Sequence, residues 1–104
     1  MRENDRNYKE IKFWPMLCNS NIKELMDFIK ELWVDDARFS KNSIITRASY
    51  RHNIVWLELH TNNNPNNNLI IAALEENKKF WGEFWQKSER GGHYYFEIKF
   101  FSFP

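Results

Sequence analysis

The chain has one cysteine, three glycines and three prolines in 104 residues, and no excess of either charge. With Cys18 alone, neither an internal disulfide nor a cysteine-rich zinc site can be built. The longest apolar stretch, Leu69–Leu74, is far shorter than a bilayer span, so no membrane partner is expected. The charged start at Met1–Asn7 leads into Tyr8-Lys9-Glu10 instead of an apolar run, so no secretory leader is expected and the location is read as cytoplasmic. Fifteen basic against 14 acidic residues give a net charge of +1, without the basic excess of a protein held to nucleic acid by phosphate neutralisation. The same balance excludes an acidic nucleic-acid mimic. Alanine, glycine and proline are scarce while asparagine, lysine, isoleucine and phenylalanine abound, the bias of an AT-rich coding sequence such as those of low-GC bacteria and their phages.

What is present suffices for a core. Hydrophobic residues make up 42% of the chain and aromatics 17%, including five tryptophans and nine phenylalanines. The length fits a single domain over 1–104, with a flexible N-terminus at 1–6 and an asparagine-rich loop at 61–68. No cofactor-binding motif stands out.

Tyr8–Trp14 alternates in period two and predicts a strand, stopped by Pro15. Asn21, with Glu24 three residues on, predicts a capped helix carrying Ile22, Leu25, Met26, Ile29, Leu32 and Trp33 on one stripe, with Phe28 outside it. Asp35–Asn42 reads as a polar connector. Ser43–Tyr50 and Ile54–His60 predict a hairpin, with Asn53 suited to a left-handed backbone. Thr61–Asn68 reads as a solvent loop in which nothing packs, Pro65 preventing a helix. Leu69–Lys87 predicts a second helix weakened by Gly82, with a strand at Leu69–Leu74 as the alternative. Arg90-Gly91-Gly92 predicts a turn and His93–Phe103 the last strand.

This β-α-β-β-α-β order resembles the ferredoxin-like fold, an α+β class with a four-stranded antiparallel sheet and two helices on one face. The resemblance lies in element order along nearly the whole chain. It implies that the helices cover Ile11, Phe13, Val55, Leu57, Leu59, Tyr94, Phe96, Ile98 and Phe100. The other face then carries Tyr8, Glu10, Lys12, Trp14, Trp56, Glu58, His60, Tyr95, Glu97, Lys99 and Phe101. Exposed aromatics among charges call for a partner or a cover. Tyr8, Lys12, Trp14, Arg47, Trp56, Tyr95, Lys99 and Phe101 are therefore the candidate contacts. Glu10 with Lys99 and Lys12 with Glu97 form the expected cross-strand pairs.

Other chemistry-bearing residues have plainer readings. His52, His60 and His93 lack metal-ligand spacing and read as surface histidines. Cys18 precedes a helix and reads as inert. Asp35-Asp36 and Glu75-Glu76 read as solvated charge, because adjacent helical residues diverge by about 100 degrees. Arg90-Gly91-Gly92 needs no bound phosphate to explain it. Trp81, Phe84 and Trp85 read as core or as a second docking seam.

The expected function is a small non-enzymatic binding module that docks on a larger protein or ribonucleoprotein. Its profile is similar to that of phage-encoded inhibitors of bacterial defence nucleases, including anti-CRISPR proteins, several of which are ferredoxin-like. That resemblance implies action in the cytoplasm of the producing or infected bacterial cell. Three alternatives stay open. The RNA-recognition motif stacks single-stranded RNA on aromatics of such a sheet, but its glycine-containing octapeptide is absent from Arg51–Leu59. A small dimeric ferredoxin-like enzyme, monooxygenase-type or nuclease-type, would need a cavity holding His60 or His93; independently of that alternative, the open sheet face is a candidate homodimer seam. An immunity protein or antitoxin fits the same binding class.

Overall fold

The computed structural model describes residues 2–34, 43–49 and 53–100. The connector 35–42, the hairpin residues Arg51 and His52, and Phe101 lie outside the described residues. The elements are α1 (Arg2–Lys12), α2 (Asn19–Leu32), β1 (Ile44–Ser49), β2 (Ile54–His60), α3 (Pro65–Glu76), α4 (Lys78–Phe84), β3 (Trp85–Glu89) and β4 (His93–Lys99). The α+β class and the four-stranded antiparallel sheet stand, but the strand order is β1-β2-β4-β3. Element order and strand order both depart from the ferredoxin-like arrangement.

The first departure is α1, where the sequence predicts a strand. Glutamate, lysine and arginine dominate this segment and favour a helix. Among the described side chains of this segment Ile11 alone is fully buried, while Lys9, Glu10 and Phe13 are exposed, so burial does not follow period two. Lys9 and Lys12 in the last turn complement the helix dipole, and Pro15 keeps the chain from continuing.

Helix α2 begins two residues ahead of the expected cap. Cys18 holds the N-cap position but its side chain caps no helix amide, and the Asn21 carboxamide instead accepts from the Leu17 amide at 3.0 Å. Most of its stripe is as expected: Ile22, Leu25, Met26, Ile29 and Trp33 are buried, while Leu32 within the stripe and Phe28 outside it are both half-buried.

The asparagine-rich segment is the second departure. Asn62 and Asn63 take left-handed φ values, Asn64 caps α3 by accepting from the Asn67 amide at 3.2 Å, and Pro65 occupies the first turn. A proline there starts a helix, because its missing N–H has no intrahelical partner in any case. Thr61 and Asn67 are buried. The segment therefore packs.

The expected helix over Leu69–Lys87 divides in three. Leu69–Leu74 is helical, but Asn77, at φ −80° and ψ 86°, ends α3 and caps α4 by accepting from the Phe80 amide at 3.2 Å. From Trp85 the chain is a strand, turned back by Gly91 and Gly92 at positive φ into β4. Trp85 lies opposite Phe96 and Lys87 opposite Tyr95, so a bulge at Gln86 moves the strand across the pleat.

The core joins Ile11, the α2 stripe, Ile70, Ile71, Ala73 and Leu74 of α3, and Phe80 and Phe84 of α4 to Leu57, Leu59, Phe96 and Ile98 of the sheet. The inward faces of β2 and β4 are those that alternation predicts. Asn53, at φ 54°, turns the first hairpin as expected. Among the described residues no helix is long and apolar enough to cross a membrane.

Candidate functional site

Register lays the outer face of the sheet out in rows. Arg47 lies opposite Trp56, and Trp56 opposite Glu97. In the next row Ile45 faces Glu58, Glu58 faces Tyr95, and Tyr95 faces Lys87. A third row runs from His60 through His93 to Glu89. Opposite residues in an antiparallel pair share a face, so these side chains lie on the side away from the core.

The first two rows enclose a hollow of ≈ 700 Å³, lined among others by Arg47, Trp56, Glu58, Lys87, Tyr95 and Glu97. Trp56 is 43% exposed, unusual for the largest apolar side chain on a central strand. The Lys87 ammonium lies 4.8 Å from the Tyr95 ring centroid, a cation–π arrangement. Glu89 accepts from the Tyr95 hydroxyl, which holds the Glu89 carboxyl below its ordinary range, with Lys87 adding to the effect. The same bond raises the Tyr95 hydroxyl above its ordinary value, helped by burial.

The third row brings His60 and His93 together. Their Nδ1 atoms are 2.7 Å apart, with ring centroids at 4.9 Å. On the outer side of His60, Glu58 Oε2 lies 3.5 Å from Nε2, and the Tyr95 ring meets the His60 ring edge-on. Neither histidine lines the hollow. Spacing along the chain could not reveal this pair, because 33 residues separate them. The signal available was their matching place at strand ends, once β2 is paired with β4.

Of the eight expected contacts, Arg47, Trp56 and Tyr95 meet in the hollow. Lys99 shares the face but stands opposite Ile54, outside the lining. Tyr8, Lys12 and Trp14 belong elsewhere, because α1 is no strand. The Tyr8 hydroxyl donates to Glu76, and Lys12 Nζ pairs with the same carboxylate at 3.7 Å. Trp14 donates to the Asn21 carbonyl at 2.9 Å and packs against Phe28. The expected pairs of Glu10 with Lys99 and Lys12 with Glu97 fall with the predicted strand. Glu58, Lys87 and Glu97 replace them in the site. Lys87 was hidden in a predicted helix.

Two apolar surfaces lie off this face. Trp81 and Trp85 stack at 5.8 Å with 13° between planes, and Trp85 is 39% exposed. Phe13 and Leu17 stand out between α1 and α2, at 71% and 80% exposure. Cys18 is half-buried, its Sγ 3.5 Å from Asn21 Oδ1. Among the described residues no three His, Cys, Asp or Glu side chains are grouped to hold a metal. Comparison with protein-family models, curated proteins and solved structures gives no match.

Proposed function

We infer that this chain is a binding module that docks through the outer face of its sheet on a larger protein or nucleoprotein. The observation that carries this reading is the row Arg47–Trp56–Glu97, with a 43%-exposed tryptophan between opposite charges at the edge of a hollow. Tryptophan and arginine dominate binding energy at protein interfaces, where neighbouring charges set orientation. Cations at Arg47 and Lys87 alternate with carboxylates at Glu58 and Glu97, a pattern suited to a partner of mixed charge. The aromatic content and AT-rich bias further support a phage or mobile-element inhibitor of a bacterial defence nuclease, acting by occupying a guide, target or subunit surface. The test is co-expression with defence nucleases during phage challenge, comparing wild type with Trp56→Ala and Tyr95→Ala. Restored plating by wild type that both variants lose is expected. Equal protection by all three, or none by any, would remove the reading.

A second reading has one observation in its favour. Trp56 and Tyr95 stand on the two central strands as diagonal neighbours, two residues out of register, where two stacked bases would be accommodated. Glu58, Glu89 and Glu97 on the same face oppose a phosphate backbone. Single-stranded RNA that binds at low salt and quenches tryptophan fluorescence in wild type, but not in Trp56→Ala, would favour this reading over the first.

A further inference from the structure

The geometry points to a binding site for one divalent transition-metal ion of the copper–nickel class between His60 and His93. The two residues are direct cross-strand partners, so the sheet itself fixes the separation of their backbones. Their Nδ1 atoms face each other at 2.7 Å. Two imidazoles bound through nitrogen at about 2.0–2.1 Å place their ring centroids about 4.5 Å apart at a right angle and about 5.2 Å apart at the tetrahedral angle. The observed 4.9 Å lies between these limits. At 2.7 Å one Nδ1 carries the proton of a hydrogen bond between the rings. With the His93 proton moved to its Nε2 and the rings turned apart to the N···N separation of about 2.9–3.4 Å that such ligands need, both lone pairs converge on one ion.

The surroundings suit this use. Glu58 Oε2, 3.5 Å from His60 Nε2, favours the tautomer with its proton on the outer nitrogen and the lone pair on Nδ1. A carboxylate behind a ligating histidine orients the ring and fixes its tautomer. Glu89, opposite His93 on the neighbouring strand, adds negative charge beside the pair. Both imidazoles are half-buried, which leaves the remaining coordination positions open to water or to a donor from a bound partner. Two nitrogen ligands with open positions favour copper(II) and nickel(II), which hold imidazoles most strongly among the common divalent ions. Tyr95 links the site to the hollow, because its ring touches His60 and lines the cavity.

The test is calorimetric titration of the full chain with nickel(II), for wild type and for His60→Gln, His93→Gln and His52→Gln. One ion per chain is expected, with affinity falling by about tenfold or more in the first two variants and unchanged in the third. A variant that loses its far-ultraviolet circular dichroism is set aside in favour of a second readout. Copper(II)-loaded wild type should then give an electron paramagnetic resonance signal with coupling to two imidazole nitrogens. Absence of saturable nickel binding, affinity unchanged in folded His60→Gln and His93→Gln, or a copper signal without two-nitrogen coupling would overturn the site.

Discussion

The Asn67 carboxamide binds both backbone groups of Val34, accepting from its N–H at 2.9 Å and donating to its C=O at 2.8 Å. Asn67 is fully buried, and this contact ties the chain just past the end of α2 to the first turn of α3. A carboxamide does both at once, with its donor and acceptor side by side on one planar group. Asn67→Asp loses the donor and buries a carboxylate, and Asn67→Ala leaves two backbone groups without their partner. Each is expected to destabilise the fold by about 2–4 kcal/mol. Urea unfolding should show a lower midpoint with an unchanged slope.

Gly92, at φ 81°, lies so close to Thr61 that an added Cβ would fall 2.0 Å from Oγ1. Its carbonyl accepts from the Thr61 amide at 2.9 Å, so backbone retreat would break that bond. Gly92→Ala is expected to cost about 2–4 kcal/mol from strain and overlap together. The paired variant Thr61→Ser with Gly92→Ala should recover little, because the hydroxyl remains. Thermal unfolding of single and double variants checks this.

Gly82 presents the opposite case. It lies inside α4 at ordinary helical φ, and an added Cβ meets nothing within 4 Å. Gly82→Ala should stabilise the protein by about 0.4–1 kcal/mol, chiefly by restricting the unfolded chain. A lower midpoint in denaturant would show that α4 is not helical there in solution.

The contact between Tyr8 and Glu76 makes the packing of α1 on α3 dependent on pH. The Tyr8 hydroxyl donates to Glu76 and holds that carboxyl below its ordinary range, with Lys12 contributing. A depressed carboxyl stabilises above the unfolded-chain value, and its contribution fades as pH falls through the lowered folded value. Tyr8 is raised by the same bond, so on the alkaline side its contribution is full below the ordinary tyrosine value and declines above it. It is lost as pH rises through the raised value. The gap in urea midpoint between wild type and Tyr8→Phe should therefore be widest between these limits and close outside both.

Trp56→Ala should separate stability from binding. The side chain is 43% exposed, and its neighbours across the strands are Arg47 and Glu97 rather than core residues. The unfolding midpoint should change by about 1 kcal/mol or less. A loss comparable to that of a core phenylalanine would mean the indole is a structural cover.

Where a residue's neighbours are local, the sequence was a sufficient guide. The apolar stripe of α2 and the alternation of β2 and β4 came through because each depends only on a residue's own periodic place. Tyr8–Trp14 misled because a short alternation of aromatic and charged residues fits a strand as well as an α-helix with one buried position per turn. Choosing between them required α3, on which α1 packs. Asn77 was read as helix interior for a similar reason. Its amide donates to the Ile11 carbonyl at 2.9 Å, across 66 residues, and no nearby pattern announces such a bond.

The absence of cysteine pairs, of long apolar runs and of charge excess was settled by composition, which does not depend on fold. So was the presence of an amphipathic α2 and of two strands with one apolar face, because side-chain period follows from backbone geometry alone. The pairing of β2 with β4 was decided only in three dimensions. So were the conversion of Trp85–Glu89 to an edge strand and the meeting of His60 with His93. Those contacts join residues far apart in the chain, and the closing of such loops is favoured only when the whole core forms together.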